Sequence, residues 1–173
     1  FYVDSLRLEE NLTGIQGIGF SRLIAPADLP SHQDAVRSSG FPDYAVYPAG
    51  QRDVYTSIIY LEPFEGRNRV AFGYDMFSEA VRRQAMERAR DYNDASLSGR
   101  VELVQETGID VQAGTLIYVP VYDTNAATST PEERRAALVG WAYSPFRMTD
   151  LMTGIIGDWS RVNMNSLGLR IYD

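Results

Sequence analysis

The chain has 173 residues, 45% of them hydrophobic and 23% charged, which is the balance of one folded unit of ordinary size and not of a disordered tail. Its net charge of -7 repels polyanions and sets nucleic acid aside as a partner. It has no cysteine and a single histidine, so disulfides, thiolate nucleophiles, thiolate metal sites and histidine metal clusters are all excluded.

In chain order, Val3, Leu6, Leu8 and Leu12 stand at near-helical spacing with acids between them, and Gly14 supplies a stop, so residues 1–13 read as the end of a helix. "GIQGIGF" has the wrong glycine spacing for a phosphate loop and reads as a tight connector. "PADLPSHQD", which holds His32, reads as a polar loop. "YAVYP" (44–48) and "VYTSIIYLEP" (54–63) suggest an antiparallel pair across the turn "AGQRD", and "NRVAFGYDM" offers a further short strand.

Ser78 stands as an N-cap before "EAVRRQAMERARD", where Val81, Ala85 and Ala89 share one helical face. "GRVELVQE" (99–106) alternates like a strand with one wetter face. "GTLIYVPVYD" (114–123) is the most apolar strand, with Pro120 placing it at an edge, end or bulge. "TNAATSTPEERR" is a connection leading into a helical turn capped by Thr130. Beyond it "AALVGWAYSPF" is strand-like, Met148, Leu151, Met152, Ile155 and Ile156 share a helical face, and "LGLRIYD" restarts a strand. Strands, a helix and more strands make an α+β fold, a helix packed on an antiparallel sheet.

The chemistry of catalysis is thin. Carboxylates pair at Asp75 with Glu79, Glu102 with Glu106 and Glu132 with Glu133, but no metal-loop spacing accompanies them, and no Gly-x-Ser-x-Gly elbow stands with His32. No apolar run reaches the roughly 20 residues needed to cross a bilayer. Asp75, set among Phe72, Tyr74, Met76 and Phe77, reads as a helix-start device, a catalytic acid or a ligand anchor.

The segments "GIQGIGFSRLI", "SSGFPDYAVYPAGQRDVYTSIIYLEP", "RNRVAFGYDMFSEAVRRQAMERARD", "LSGRVELVQET", "LIYVPVY", "EERRAALVGWAYSPFRMTDLM" and "LGLRIYD", in this order and spacing, resemble the CHASE domain. This is the extracytoplasmic ligand-sensing module of bacterial histidine kinases and nucleotide cyclases and of plant cytokinin receptors. The resemblance covers about residues 14–173. It implies a stalk-helix remnant (1–13), a membrane-distal PAS-like ligand-binding subdomain (14–123), and a linker with a partial membrane-proximal PAS-like subdomain (124–173), to be completed beyond Asp173 and followed by a membrane anchor.

The same resemblance implies a non-enzymatic periplasmic domain of an inner-membrane receptor, homodimeric through its stalk, with a kinase or cyclase output and no cofactor. Its ligand would be a cytokinin-like purine or another small molecule. The plant pocket aspartate, in the motif L-D-M-M-S-G-E, corresponds to Asp75 in "YDMFSEA", and counting onward carries pocket positions onto Leu97 and Thr107. Val119 stands where the plant receptors have a phenylalanine before proline. On this reading Asp75→Ala abolishes ligand response and leaves the fold nearly intact. The alternatives are a ligand-free dimerisation module and, more remotely, a hydrolase.

Overall fold

The computed structural model describes residues 14–106, 108 and 111–156. The expected stalk end, Thr107 and the strand restart at Leu167 lie outside these. Among the described residues five strands, β1 (Ile18–Ile24), β2 (Tyr55–Glu62), β3 (Ser96–Leu97), β4 (Gly114–Tyr122) and β5 (Leu138–Arg147), form one antiparallel sheet in the order β2-β1-β5-β4-β3. Among the same residues four α-helices accompany it: α1 (Leu29–Ser38), α2 (Ala80–Tyr92), α3 (Pro131–Ala137) and α4 (Met148–Ile156). The α+β class follows.

The helix expected after Asp75 is α2. Ala85, Met86 and Ala89 are its buried stripe, and Val81 packs beside them. Its cap is Glu79 rather than Ser78: the Glu79 carboxylate accepts the N–H groups of Val81 and Arg82, at 2.9 and 3.0 Å, and Asn93 closes the far end at φ 54°. Trp141 of β5, fully buried, donates its indole N–H to the Met86 carbonyl at 2.9 Å and so ties the sheet centre to α2. At the end of α2, Asp91 receives Arg135 at 2.6 Å while its carbonyl accepts from Arg134, which fastens α3. Thr130 and Glu133 form the reciprocal cap that opens α3.

Several expectations are corrected. Residues 44–48 do not pair as a hairpin with β2; β2 pairs with β1 from Ile18↔Glu62 to Ile24↔Tyr55, and only Tyr47 bridges, to Tyr74. "NRVAFGYDM" contains a 3-10 turn, Gly66–Ala71, in place of a strand. Residues 99–106 alternate in burial, with Val101, Leu103 and Gln105 inside, yet make a single bridge, Val101↔Gly114. Alternation reports faces, not ladder bonds, and the β4 amide of Leu116 is taken instead by the Ser98 hydroxyl.

The expected domain boundary stands at Asp123. β5 lies beyond it and sits between β1 and β4, paired to both. Pro120 does fall where expected, past the two-residue β3, where β4 has no neighbour on its β3 side to receive an N–H.

The segment read as a loop around His32 is α1, since Pro30 lies in its first turn, where no amide bond is lost. The helix docks on the sheet face opposite α2, at the β1–β2 end, over Ile24 and Tyr55. His32 Nε2 bonds the Tyr44 hydroxyl at 2.8 Å, and that hydroxyl bonds the buried Ser57 hydroxyl. Burial, and then the Arg22 charge on β1, hold the His32 ring below the ordinary imidazole value. Arg22, Asp28 of the preceding turn and Tyr44 are among the charged or titratable groups around it.

The unfolded chain therefore takes up a proton that the folded chain resists. The His32 contribution is present above about pH 6.5 and is lost as the pH falls toward the lower folded value. Thermal melts at pH 7 and pH 5 should show a larger loss on acidification for the wild type than for His32→Gln. Equal losses would mean that His32 does not couple to folding.

Candidate functional site

The site grows from the exposed edge of β2. An edge strand presents free amides and carbonyls, and here they are covered by the stretch from Gly73 to Asp75: Gly73 N–H donates to the Ile58 carbonyl at 2.9 Å, and Ile58 N–H to the Tyr74 carbonyl at 3.2 Å. A third layer follows, as Tyr47 N–H bonds the Gly73 carbonyl and Asp75 N–H bonds the Tyr47 carbonyl at 2.7 Å. Gly73 is required, because at φ 89° a Cβ would lie 2.5 Å from the Ala45 carbonyl oxygen.

That cover delivers the Asp75 side chain to the next free amide along β2. Asp75 has no solvent exposure. Its Oδ1 accepts from Thr56 N–H at 3.0 Å, Thr56 Oγ1 at 2.8 Å and Phe77 N–H at 3.1 Å, so one oxygen caps both the strand edge and the 3-10 turn Met76–Ser78. The helix-start reading is thus realised one turn earlier than α2.

Its other oxygen, Oδ2, is buried without a hydrogen bond and faces Arg52 Nη1 at 3.5 Å. Arg52 is held in place by the Pro48 carbonyl at 2.9 Å and by the Tyr55 ring, 5.6 Å from its guanidinium carbon. Burial raises the Asp75 carboxyl above the ordinary carboxylate range, and the Thr56 donors, Arg52 and Phe77 N–H oppose that shift.

Aromatic groups surround this carboxylate. The Tyr47 and Tyr74 rings lie 5.4 Å apart, Arg82 sits over Tyr74 at 5.5 Å, and Phe77 packs on Trp141 at 5.7 Å. Met76, beside Asp75, receives the Tyr118 hydroxyl at 3.5 Å from the sheet below. Burial pushes the Tyr47 hydroxyl up to about 12, so it is a neutral donor at any physiological pH, and it donates to the Val70 carbonyl. The site thus holds one buried carboxylate oxygen, Asp75 Oδ2, that has no hydrogen bond and is paired in charge with Arg52.

Of the four residues carried over from the resemblance, the three that are described, Asp75, Leu97 and Val119, are not brought together. Leu97 is 52% exposed and Val119 44% exposed, and both belong to the sheet face opposite Tyr118 and Asp75. Thr107 lies outside the described residues. Sequence reasoning missed Thr56 and Arg52, which stand 19 and 23 positions before Asp75 and carry no motif of their own.

Nucleophilic chemistry finds no support at His32: its partner is Tyr44, and Ser57 beyond it is fully buried. Among the described residues no group of three or more acidic or histidine side chains could hold a metal ion.

The described residues form an antiparallel α+β domain in which one Asp75 carboxylate oxygen is buried without a hydrogen bond. The family model for the CHASE domain matches residues 1–173, the whole chain, and the chain belongs to the CHASE family. CHASE domains are extracytoplasmic sensor domains of signalling receptors and are not catalytic. No curated protein matches the sequence. Among the described residues no helix is long and apolar enough to cross a membrane.

Proposed function

We propose that this domain is the periplasmic small-molecule sensor of a membrane-bound receptor with a histidine kinase or cyclase output, homodimeric through its stalk. The antiparallel sheet with helices on its faces supports treating it as a PAS-like unit. The ligand presents an N–H or O–H donor, such as the amine side of a purine, to Asp75 Oδ2. Thr107 belongs to the same reading, whereas the exposure of Leu97 and Val119 argues against them as neighbours of that anchor.

The observation that carries this is Asp75 Oδ2, buried with no hydrogen bond and met by the Arg52 guanidinium only at the longer distance of 3.5 Å. A buried acceptor without a donor costs about 1–3 kcal/mol, and a ligand donor removes that cost. Binding reaches the output only if the ligand prefers one receptor geometry over another.

Arg52, 3.5 Å from the same oxygen, favours a second reading, a ligand-free module in which Asp75 is purely structural. A thermal-shift screen of adenine derivatives, amino acids, aromatic acids and peptides separates the two. A ligand at 100 times its dissociation constant adds about 2.7 kcal/mol, which in a chain of this size is a shift of roughly 5–10 °C. Asp75→Asn, which keeps an oxygen acceptor, should lose that shift. No stabilising compound, or an unchanged shift in Asp75→Asn, would leave the structural module standing.

A further inference from the structure

The segment from Gly40 to Ala45 and the turn that holds Arg69 flank an open cleft of about 450 Å³, a volume within the range of small-molecule sites. Its floor is aromatic. Phe41 and Phe72 lie 4.7 Å apart at 45°, Tyr44 is 5.1 Å from Phe72, and Phe64 supports Phe72 from 5.3 Å. Phe41 keeps 38% of its surface exposed. An aromatic ring left open in a concavity is a stacking surface awaiting a partner.

Two opposite charges line the same cleft, Arg69 and Asp43. Among the described residues neither forms an ion pair with the other or with any third group. Arg69 lies over the Phe64 ring, 5.7 Å from its centre, which aligns the guanidinium without neutralising it.

The walls are fixed in advance. Tyr44 is held by His32 and Ser57 through its hydroxyl, by Arg37 at its carbonyl, and by its own N–H to the Phe41 carbonyl at 3.0 Å. Tyr47 is held by Gly73 and Val70. Tyr44 and Tyr47 therefore need little ordering on binding.

We propose that this cleft is a second ligand site, separate from Asp75, which takes an aromatic amino acid with its ring on Phe41 and Phe72, its carboxylate on Arg69 and its ammonium on Asp43. A flat hydrocarbon alone would leave both charges unused, and a simple aromatic acid would meet Asp43 unfavourably. A zwitterion joined to a ring satisfies all three features at once.

Calorimetric titration of the 173-residue chain with L-phenylalanine, 3-phenylpropionate and phenethylamine tests this. L-phenylalanine should bind one to one, and each analogue, lacking one charge, roughly tenfold or more weakly. Arg69→Gln should weaken L-phenylalanine while sparing phenethylamine, and Asp43→Asn should weaken L-phenylalanine while sparing 3-phenylpropionate. Phe41→Ala, at an exposed position, should weaken all three.

Asp75→Asn should change none of these, so a failed anchor at Asp75 and a failed cleft are told apart. The proposal is overturned if L-phenylalanine binds no more tightly than about 1 mM, if its binding ignores Arg69→Gln and Asp43→Asn, or if Asp75→Asn abolishes it.

Discussion

Asp75→Ala should lower the melting temperature by about 6–20 °C. The expectation from sequence, an anchor whose removal leaves the fold nearly intact, treats Asp75 as a group facing a ligand. The carboxylate instead holds three donors at once: the edge amide of Thr56, its hydroxyl, and the Phe77 amide that opens a 3-10 turn. Alanine strands all three, with Arg52 left facing an apolar methyl.

Removing one member of a buried charged arrangement costs about 3–5 kcal/mol, and in a chain of this length each kcal/mol moves the melting temperature by about 2–4 °C. Asp75→Asn, with an amide oxygen in the Oδ1 position, keeps the three donors satisfied but turns its NH2 group toward Arg52, so it should cost less than Asp75→Ala without being neutral. Similar melting temperatures for Asp75→Ala and the wild type would show that the strand edge does not depend on this side chain.

The same carboxylate leaves a signature in pH. Its folded-state value is raised, so just above the ordinary carboxylate range the folded chain holds a proton that the unfolded chain has released. The stability it contributes is present at acid pH and is lost as the pH rises through the folded value. Relative to Asp75→Asn, which cannot titrate, the wild type should lose stability with rising pH across that window. A relative gain would mean that Arg52 and the amide donors outweigh burial.

Which parts of this were legible in the sequence follows from what sequence patterns encode. The α2 face, the Thr130 cap and the apolar β4 were readable because each is written locally, as a period or as a cap residue beside its helix. β1 was hidden by Gly19 and Ser21, residues that strand propensity counts against. Gly19 is there because the Tyr143 ring crosses it, so that a Cβ would lie 2.5 Å from the ring, a fact held 124 positions away. α1 was hidden by two prolines, Pro26 and Pro30, that lie in the opening turns of a 3-10 segment and of the α-helix itself, where they do no harm.

The site divides the same way. Asp75 was found through its motif, but its partners Thr56 and Arg52 answer to the covered edge of β2, which no local pattern announces.

The largest effect of all should come from ending the chain at Asp123: residues 14–123 alone should not fold. They contain the whole of the membrane-distal unit expected from sequence, yet they lack β5, which pairs with β1 from Gly19↔Tyr143 to Arg22↔Gly140 and with β4 along its entire length. Without it the sheet falls into two pieces, β2-β1 and β4-β3, each a two-stranded ribbon of marginal stability on its own. The loss extends to the core, because Trp141 and Tyr143 are buried at 0% and 2% exposure, Trp141 against Phe77 and the Met86 carbonyl of α2. Aromatic side chains of this kind bury about 150–250 Å² each, which at about 25 cal/mol/Å² is roughly 4–6 kcal/mol apiece. Those two residues together match the whole stability of a typical domain, about 5–15 kcal/mol. Circular dichroism melts and amide NMR spectra check it: the 173-residue chain should melt cooperatively with dispersed amides, and the shortened chain should show neither. A cooperative melt for residues 14–123 would mean that β5 is an addition to a domain already complete, and that the boundary at Asp123 divides two folding units after all.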